Sequence, residues 1–309
     1  MERIAIGSSD LSTSRLAYGC WRIAPLENDK ENLPLARRAV LAAVEAGYTL
    51  FDHADIYCRA RAEAVFGEIL RENPGLREKV VVATKCGIRF ADEPAGAPAR
   101  YDSSAEHIVR SCEGSLRRLG VECIDFYQIH RPDPLMDPEE VARAFDQLYA
   151  AGKVREFGVS NFRTDQVEML QRACARPIQA NQVEVSLLQL ASFDDGVLSQ
   201  CVAQRMTPLA WSPLGAGLLG DGGVDLLPGQ RGYRPAAVAA VLDRIASAVG
   251  ERRATVALAW LLKHPARIVP ILGSTDPERI RGAVAAASME LTREQWYELY
   301  VAGRGAPLA

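Results

Sequence analysis

The feature that most constrains this chain is a rhythm. Short apolar runs alternate with longer stretches of helical periodicity from Leu16 onward. The runs are Leu16–Tyr18, Tyr48–Asp52, Lys79–Lys85, Ile124–His130, Val154–Val159, Ile178–Val185, Thr207–Trp211 and Arg267–Leu272. Most are rich in Val, Ile and Leu without polar alternation. Strands of an all-parallel sheet read this way, because helices cover both of its faces. Between and after them, apolar residues at helical spacing predict helices over Leu33–Ala46, Ala60–Leu70, Ser104–Leu119, Asp137–Ala150, Thr164–Cys174, Asp194–Ala203, Arg234–Gly250, Ala254–Lys263, Pro277–Ala287 and Thr292–Ala302. Eight strand-then-helix steps predict a (β/α)8 TIM barrel, with a doubly wound open sheet as the alternative. The β-like runs Arg3–Gly7 and Ser14–Tyr18 suggest a short N-terminal β-hairpin. No linker or break in composition divides the chain, so residues 1–309 are expected to form a single barrel domain.

Charge narrows the partners. Thirty-six Lys and Arg nearly balance 39 Asp and Glu, which leaves no footprint for nucleic acid or an anionic membrane. No apolar stretch is long enough to span a bilayer, and Met1–Ile6 lacks the pattern of a signal peptide. The seven cysteines contain no Cys-x-x-Cys, and scattered free thiols fit a reducing, cytoplasmic setting. The four histidines lack metal-ligand spacing, so no metal site is expected.

Parallel α/β proteins do chemistry at the C-terminal ends of their strands. Three such ends carry polar groups that a barrel would gather: Asp52 with Tyr57, Lys85, and His130. An ammonium is costly to bury alone, and Asp52 on the neighbouring strand is the natural partner for Lys85. A lysine beside a phenol favours the phenolate and lowers the tyrosine pKa, which makes Tyr57 a proton donor to a carbonyl oxygen. His130 would orient that oxygen. From these residues alone, Asp55 or His53 could stand in for Asp52 or His130. Lys85 could also serve as a Schiff-base nucleophile.

In order, spacing and local context, Asp52, Tyr57, Lys85 and His130 resemble the Asp-Tyr-Lys-His tetrad of the aldo-keto reductase family, in its bacterial-type NADP-dependent branch. The resemblance spans about residues 3–300. It implies that Ser160 and Asn161, in Gly158–Phe162, hold the nicotinamide amide together with Gln182. It implies that the ring of Trp211 stacks on the nicotinamide. Ser212, Leu214 and Gly217 then belong to a glycine-rich loop over the pyrophosphate, and Gly273, Ser274 and Arg279 receive the adenosine phosphate. The family often has lysine where Gly273 stands, and Glu-Asn where Gly282 and Ala283 stand. Arg279 still suits a phosphate, so NADPH is the expected cofactor, with NADH possible. The implied activity is reduction of a small-molecule aldehyde or ketone. The alternative is a nicotinamide-binding regulatory subunit with slow turnover.

Gly215-Ala-Gly217-Leu-Leu-Gly220 also spells Gly-x-Gly-x-x-Gly. A dinucleotide fingerprint needs a helix at once and an acid about twenty residues on. Here a Gly- and Asp-rich segment follows, so the fingerprint reading is set aside. The long Cys86–Asp102 and Ser212–Tyr233 loops, with Trp21, are expected to wall the substrate site. Oligomeric state and the particular substrate are not legible.

Overall fold

A computed structural model describes residues 1–24, 29–221, 226, 230 and 232–308. The chain opens with an antiparallel hairpin, β1 (Arg3–Ala5) on β2 (Ser12–Ser14). The first barrel strands follow: β3 (Ala17–Gly19), β4 (Leu50–Asp52) and β5 (Val81–Cys86). A second small hairpin, β6 (Ile88–Arg89) with β7 (Arg100–Tyr101), interrupts them inside the long Cys86–Asp102 loop. The remaining barrel strands are β8 (Ile124–Ile129), β9 (Val154–Ser160), β10 (Ala180–Glu184), β11 (Thr207–Trp211) and β12 (Val269–Leu272). All neighbours in the barrel are parallel, and β12 pairs back onto β3, which closes it. This is the (β/α)8 barrel with an N-terminal hairpin that the alternation predicts, and not the open sheet.

The outer layer is helical. It comprises α1 (Asp29–Glu45), α2 (Arg61–Glu72), α3 (Ala105–Leu119), α4 (Pro138–Ala150), α5 (Thr164–Ala173), α6 (Ala191–Asp194), α7 (Val197–Gln204), α8 (Pro235–Val249), α9 (Arg253–Leu262), α10 (Pro277–Gly282) and α11 (Arg293–Arg304). Their starts follow their caps. Ser104 accepts from the His107 amide, Asp137 from Glu139, Asp276 from Glu278, and Thr292 from Gln295. Two expected helices are broken. The Asp194–Ala203 segment splits where Gly196 takes a left-handed φ of 87°. Pro277–Ala287 passes from α10 into a 3-10 turn over Ala283–Ala287.

Two cores result from strand alternation. Outward-facing residues such as Phe51, Val82 and Tyr127 pack against the helices. Lumen-facing Leu50, Ala83, Phe126, Ala180, Leu209 and Ile271 fill the barrel, with Ile4, Ile6 and Leu11 of the hairpin region packed onto them. The hairpin is tied there by Gly7 N–H donating to Thr207 Oγ1 and Ser8 N–H to Gln179 Oε1, both at 2.8 Å. Thr207 and Gln179 stand at the N-terminal ends of their strands, so the hairpin plugs the barrel's bottom. Gly158 is part of the same packing: a Cβ there would lie 2.4 Å from Phe126 Cζ. Each fully buried Leu or Phe of this core contributes about 1.5–3 kcal/mol.

Candidate active site

The lumen-facing parity that builds the core also builds the site. Two residues beyond Leu50 stands Asp52, and two beyond Ala83 stands Lys85. Four beyond Phe126 stands His130. Gly158 leads to Ser160, Ala180 to Gln182, Leu209 to Trp211 and Ile271 to Gly273. Asp52, Ser160 and Trp211 end their strands, His130 and Gly273 lie just past theirs, and Lys85 and Gln182 lie one and two residues before theirs, so one ring of side chains lies above the plugged core, toward the open mouth.

Lys85 is fully buried, and its Nζ donates to both carboxylate oxygens of Asp52 and to the His53 carbonyl, all at 2.7 Å. Gln182 Nε2 donates to Asp52 Oδ1 at 2.8 Å. Asp52 therefore accepts from two directions, and the ammonium is matched. The same Nζ lies 4.9 Å from the centroid of the Tyr57 ring. Tyr57 stands edge-on to His130 with centroids 5.8 Å apart, and Trp21 flanks it at 6.2 Å. The structure thus brings together all four residues of the expected tetrad.

Electrostatics refine one expectation. Burial pushes the Tyr57 phenol above its ordinary pKa, and Lys85 opposes this without overcoming it. The phenol is protonated at neutral pH, not a preformed phenolate. Lys85 rises despite burial, because Asp52 and Tyr57 favour its charge. His130 falls well below the usual imidazole range through burial and the nearby cations Lys85 and Arg131. Its Nδ1 is buried without a partner. A neutral imidazole therefore faces the mouth.

The alternative residues fall elsewhere. His53 points outward, its ring 4.6 Å from Phe66 of α2, with both nitrogens unpartnered. Burial lowers its pKa to about 3. Asp55 sits behind the Tyr57 loop, its carboxyl pushed up to about 8 by burial and by Glu63.

The expected nicotinamide residues form one hydrogen-bonded group. Ser160 Oγ donates to the Gln182 carbonyl at 2.9 Å. Asn161, in a left-handed conformation with φ 62°, donates from Nδ2 to Ser160 Oγ and the His130 carbonyl. Trp211 Nε1 donates to Asn161 Oδ1 at 3.0 Å. The indole is thereby pinned at the mouth.

Beyond Trp211, Ser212, Gly215, Ala216 and Gly217 all have positive φ. The Gly217 amide donates to the Leu214 carbonyl, and the Gly215 amide to that of Ser212. A phosphate reaching these amides would have to replace bonds within the loop. Only a 3-10 turn over Gly215–Gly217 is present, with no helix following at once, which bears out setting the fingerprint aside. Gly222, Gly223, Asp225, Pro228 and Gly229 of this loop lie outside the described residues.

At the far side, Ser274 Oγ accepts from the Asp276 amide at the start of α10, and Tyr18 Oη donates to the Ser274 carbonyl. Arg279 lies in the first turn of α10, 3.6 Å from Asp276. Sequence reasoning missed Arg22, whose Nη1 donates to the Gly273 carbonyl at 3.4 Å. It brings a cation back to the place where the lysine is absent. Nothing local in Trp21-Arg22 signals this; only barrel closure brings β3 beside β12. It also missed Arg131, stacked over Trp211 at 5.9 Å, and Glu184, which accepts from Tyr233 Oη at 2.7 Å. Both project from strand ends at the mouth. The donor set fits a nicotinamide dinucleotide: an aromatic face, amide groups beside it, and two arginines, Arg22 at Gly273 and Arg279 in the first turn of α10, that suit a phosphate.

Comparison with known proteins agrees with this geometry. The sequence profile of the Aldo/keto reductase family matches residues 15–301. A 6-dehydroglucose reductase of Agrobacterium fabrum is 44% identical over 315 residues, with both chains covered in full. A second 6-dehydroglucose reductase, from Novosphingobium aromaticivorans, is 40% identical over 98% of this chain and 96% of its own. Among solved structures, a glycerol dehydrogenase from Gluconobacter oxydans superposes with a TM-score of 0.87 at 26% identity, covering 99% of this chain and 97% of that one. The chain belongs to the aldo/keto reductase family and is an oxidoreductase of carbonyl chemistry.

Proposed function

We propose that the protein reduces the aldehyde of a sugar-derived substrate to the alcohol, with NADPH as reductant and Tyr57 as proton donor. One observation carries this reading: the buried Lys85–Asp52 pair, closed by Gln182, beside a protonated Tyr57 and a neutral His130 at one mouth. When bound, the cofactor supplies a hydride to the carbonyl carbon. The protein's part is the proton. His130 holds the carbonyl oxygen, and Tyr57 passes its proton to that oxygen as negative charge grows there. Lys85 stabilises the phenolate left behind, and Asp52 keeps the lysine in place. Aldehyde, NADPH and a proton give alcohol and NADP+.

The preference for NADPH rests on Arg22 and Arg279 beside Ser274. The substrate class is supported by two 6-dehydroglucose reductases at 44% and 40% identity. It is also supported by polar side chains at the mouth, Arg131 and the Glu184–Tyr233 pair, which suit hydroxyl groups.

The test begins with binding. Titration with NADPH should quench Trp211 fluorescence, more tightly than titration with NADH, and Trp211→Phe should lose the signal. Tyr57→Phe should keep that binding and lose about 100-fold or more in kcat for 6-dehydroglucose. Wild-type kcat in Tyr57→Phe would overturn the assignment of the donor. Equal affinity for NADPH and NADH would overturn the cofactor preference.

A further inference from the structure

A groove of about 440 Å3 lies outside the barrel mouth, behind the loop that carries Tyr57. One wall is a single face of α3, with His107, Arg110, Ser111, Gly114, Arg117 and Arg118 at helical spacing. A second wall is the loop after β4, through Asp55 and Arg59, and a third is Arg89 with Phe90. Nothing in the proposed carbonyl chemistry uses this place.

Five guanidiniums line it, and they differ in what they already hold. Arg118 is committed to the buried Glu63 at 2.7 Å, and Arg89 to Asp102 at 3.0 Å. Arg110 reaches Glu106 across an exposed helix flank. Arg59 rests over the Phe90 ring, 4.9 Å from its centroid. Among the described residues, neither Arg59 nor Arg117 has an ion pair. Two carboxyl groups line the groove, Glu93 and Asp55. The Asp55 Oδ1 is buried without a hydrogen-bond partner. Because burial and Glu63 keep that carboxyl protonated at pH 7, it offers an O–H and no charge. His107 gives a separate sign of the local field: after burial, and against Asp102, the charges of Arg89, Arg110 and Arg100 depress its pKa.

We propose that this groove is a second anion site, in which Arg59 and Arg117 grip the phosphate group of a small phosphomonoester. Guanidinium matches phosphate in a bidentate way that ammonium does not. The volume is of the size that small-molecule sites take, about 300–1,000 Å3. Asp55 and Ser111 supply neutral polar groups to complete the shell. The site is distinct from the proposed cofactor phosphate position at α10, which follows β12, whereas the groove is walled by the loop after β4 and by α3.

The experiment is calorimetric titration at constant ionic strength. Saturating NADP+ fills the cofactor site first, and glycerol 3-phosphate is the probe, with glycerol as the uncharged control. Saturable binding of the phosphate but not of glycerol is expected. The combined Arg59→Ala and Arg117→Ala variant should weaken it by about tenfold or more. Both side chains are exposed, so the variants should fold. Arg117→Glu alone, which reverses one charge on a solvent-facing helix position, should abolish binding. No saturable binding of glycerol 3-phosphate, or equal affinity in wild type and the double variant, would overturn the proposal.

Discussion

At Tyr57 two influences oppose each other, and their balance makes a kinetic prediction. Burial raises the phenol's pKa, and Lys85 lowers it by less. The phenol is thus protonated across the neutral range, and the proton that Tyr57 is proposed to give is lost only as pH rises through a value above about 10. His130 has the opposite displacement, held well below the ordinary imidazole range by burial and by Lys85 and Arg131. For aldehyde reduction at saturating NADPH, kcat/KM should be flat from about pH 6 to 9 and fall above about 10. If His130 were the donor, the rate would fall as pH rises through the acid side of neutrality, and a decline between about pH 5 and 7 would reject Tyr57. His130 was legible because lumen-facing parity runs from the core to the rim, and Tyr57 because it follows the strand-end Asp52 by five residues. The balance of their pKa values was not, since desolvation depends on neighbours such as Trp21 that no local pattern assigns.

The loop that holds Tyr57 is an element of unusual backbone. Cys58, Arg59 and Ala60 have φ of 51°, 53° and 68°, three successive left-handed residues without a glycine. Each such residue costs on the order of 1 kcal/mol. Ala60 is also the N-cap of α2 and makes no side-chain cap bond there. Replacing it by glycine removes a Cβ that strains the turn and sacrifices nothing that the cap provides. Ala60→Gly should therefore raise Tm by up to about 1 °C, read by calorimetry, because the relief outweighs the entropy that glycine adds to the unfolded chain. A lowered Tm would mean that the left-handed turn is not strained. The same turn shows where sequence reading stops. Left-handed turns announce themselves through Gly, Asn or Asp, and Cys58-Arg59-Ala60 has none, so the helix was expected to begin at Ala60. The β6–β7 hairpin was hidden for a related reason. Its two-residue strands are too short to show alternation, and pairing across Ile88 and Tyr101 is a tertiary fact. The eight barrel strands were legible because each lies in a mostly apolar run between helical stretches, even where the strand itself is only three residues long.

Across the whole molecule, burial moves titratable groups in two directions, and stability should follow pH accordingly. All four histidines are lowered, His53 to about 3, each chiefly by burial. The unfolded chain takes up protons near the ordinary imidazole pKa of about 6.5, whereas the folded chain resists them. Their contribution is present above that value and is lost as pH falls below it. Asp55 has the opposite sign. Its folded pKa is raised from 3.8 to about 8, so the folded chain keeps a proton that the unfolded chain releases. Its contribution is present at low pH and is lost as pH rises through 3.8 toward about 8. The two effects overlap and oppose between about pH 4 and 6.5, but above about pH 7 the histidines are neutral in both states, and Asp55 acts together with the cysteines, whose thiols burial raises in the folded chain. Wild-type stability should then fall by on the order of 1 kcal/mol per pH unit between about pH 7 and 8. In a chain of 309 residues that is a drop of about 1–2 °C in Tm. Asp55→Asn keeps the shape and a neutral polar group but has no proton to lose at this position, so its Tm should fall less steeply across the same window than that of the wild type. Thermal melts of the two proteins in matched buffers decide it. Curves that fall in parallel would mean that Asp55 is ionised in the folded state, and the neutral groove wall inferred behind Tyr57 would fall with that assignment.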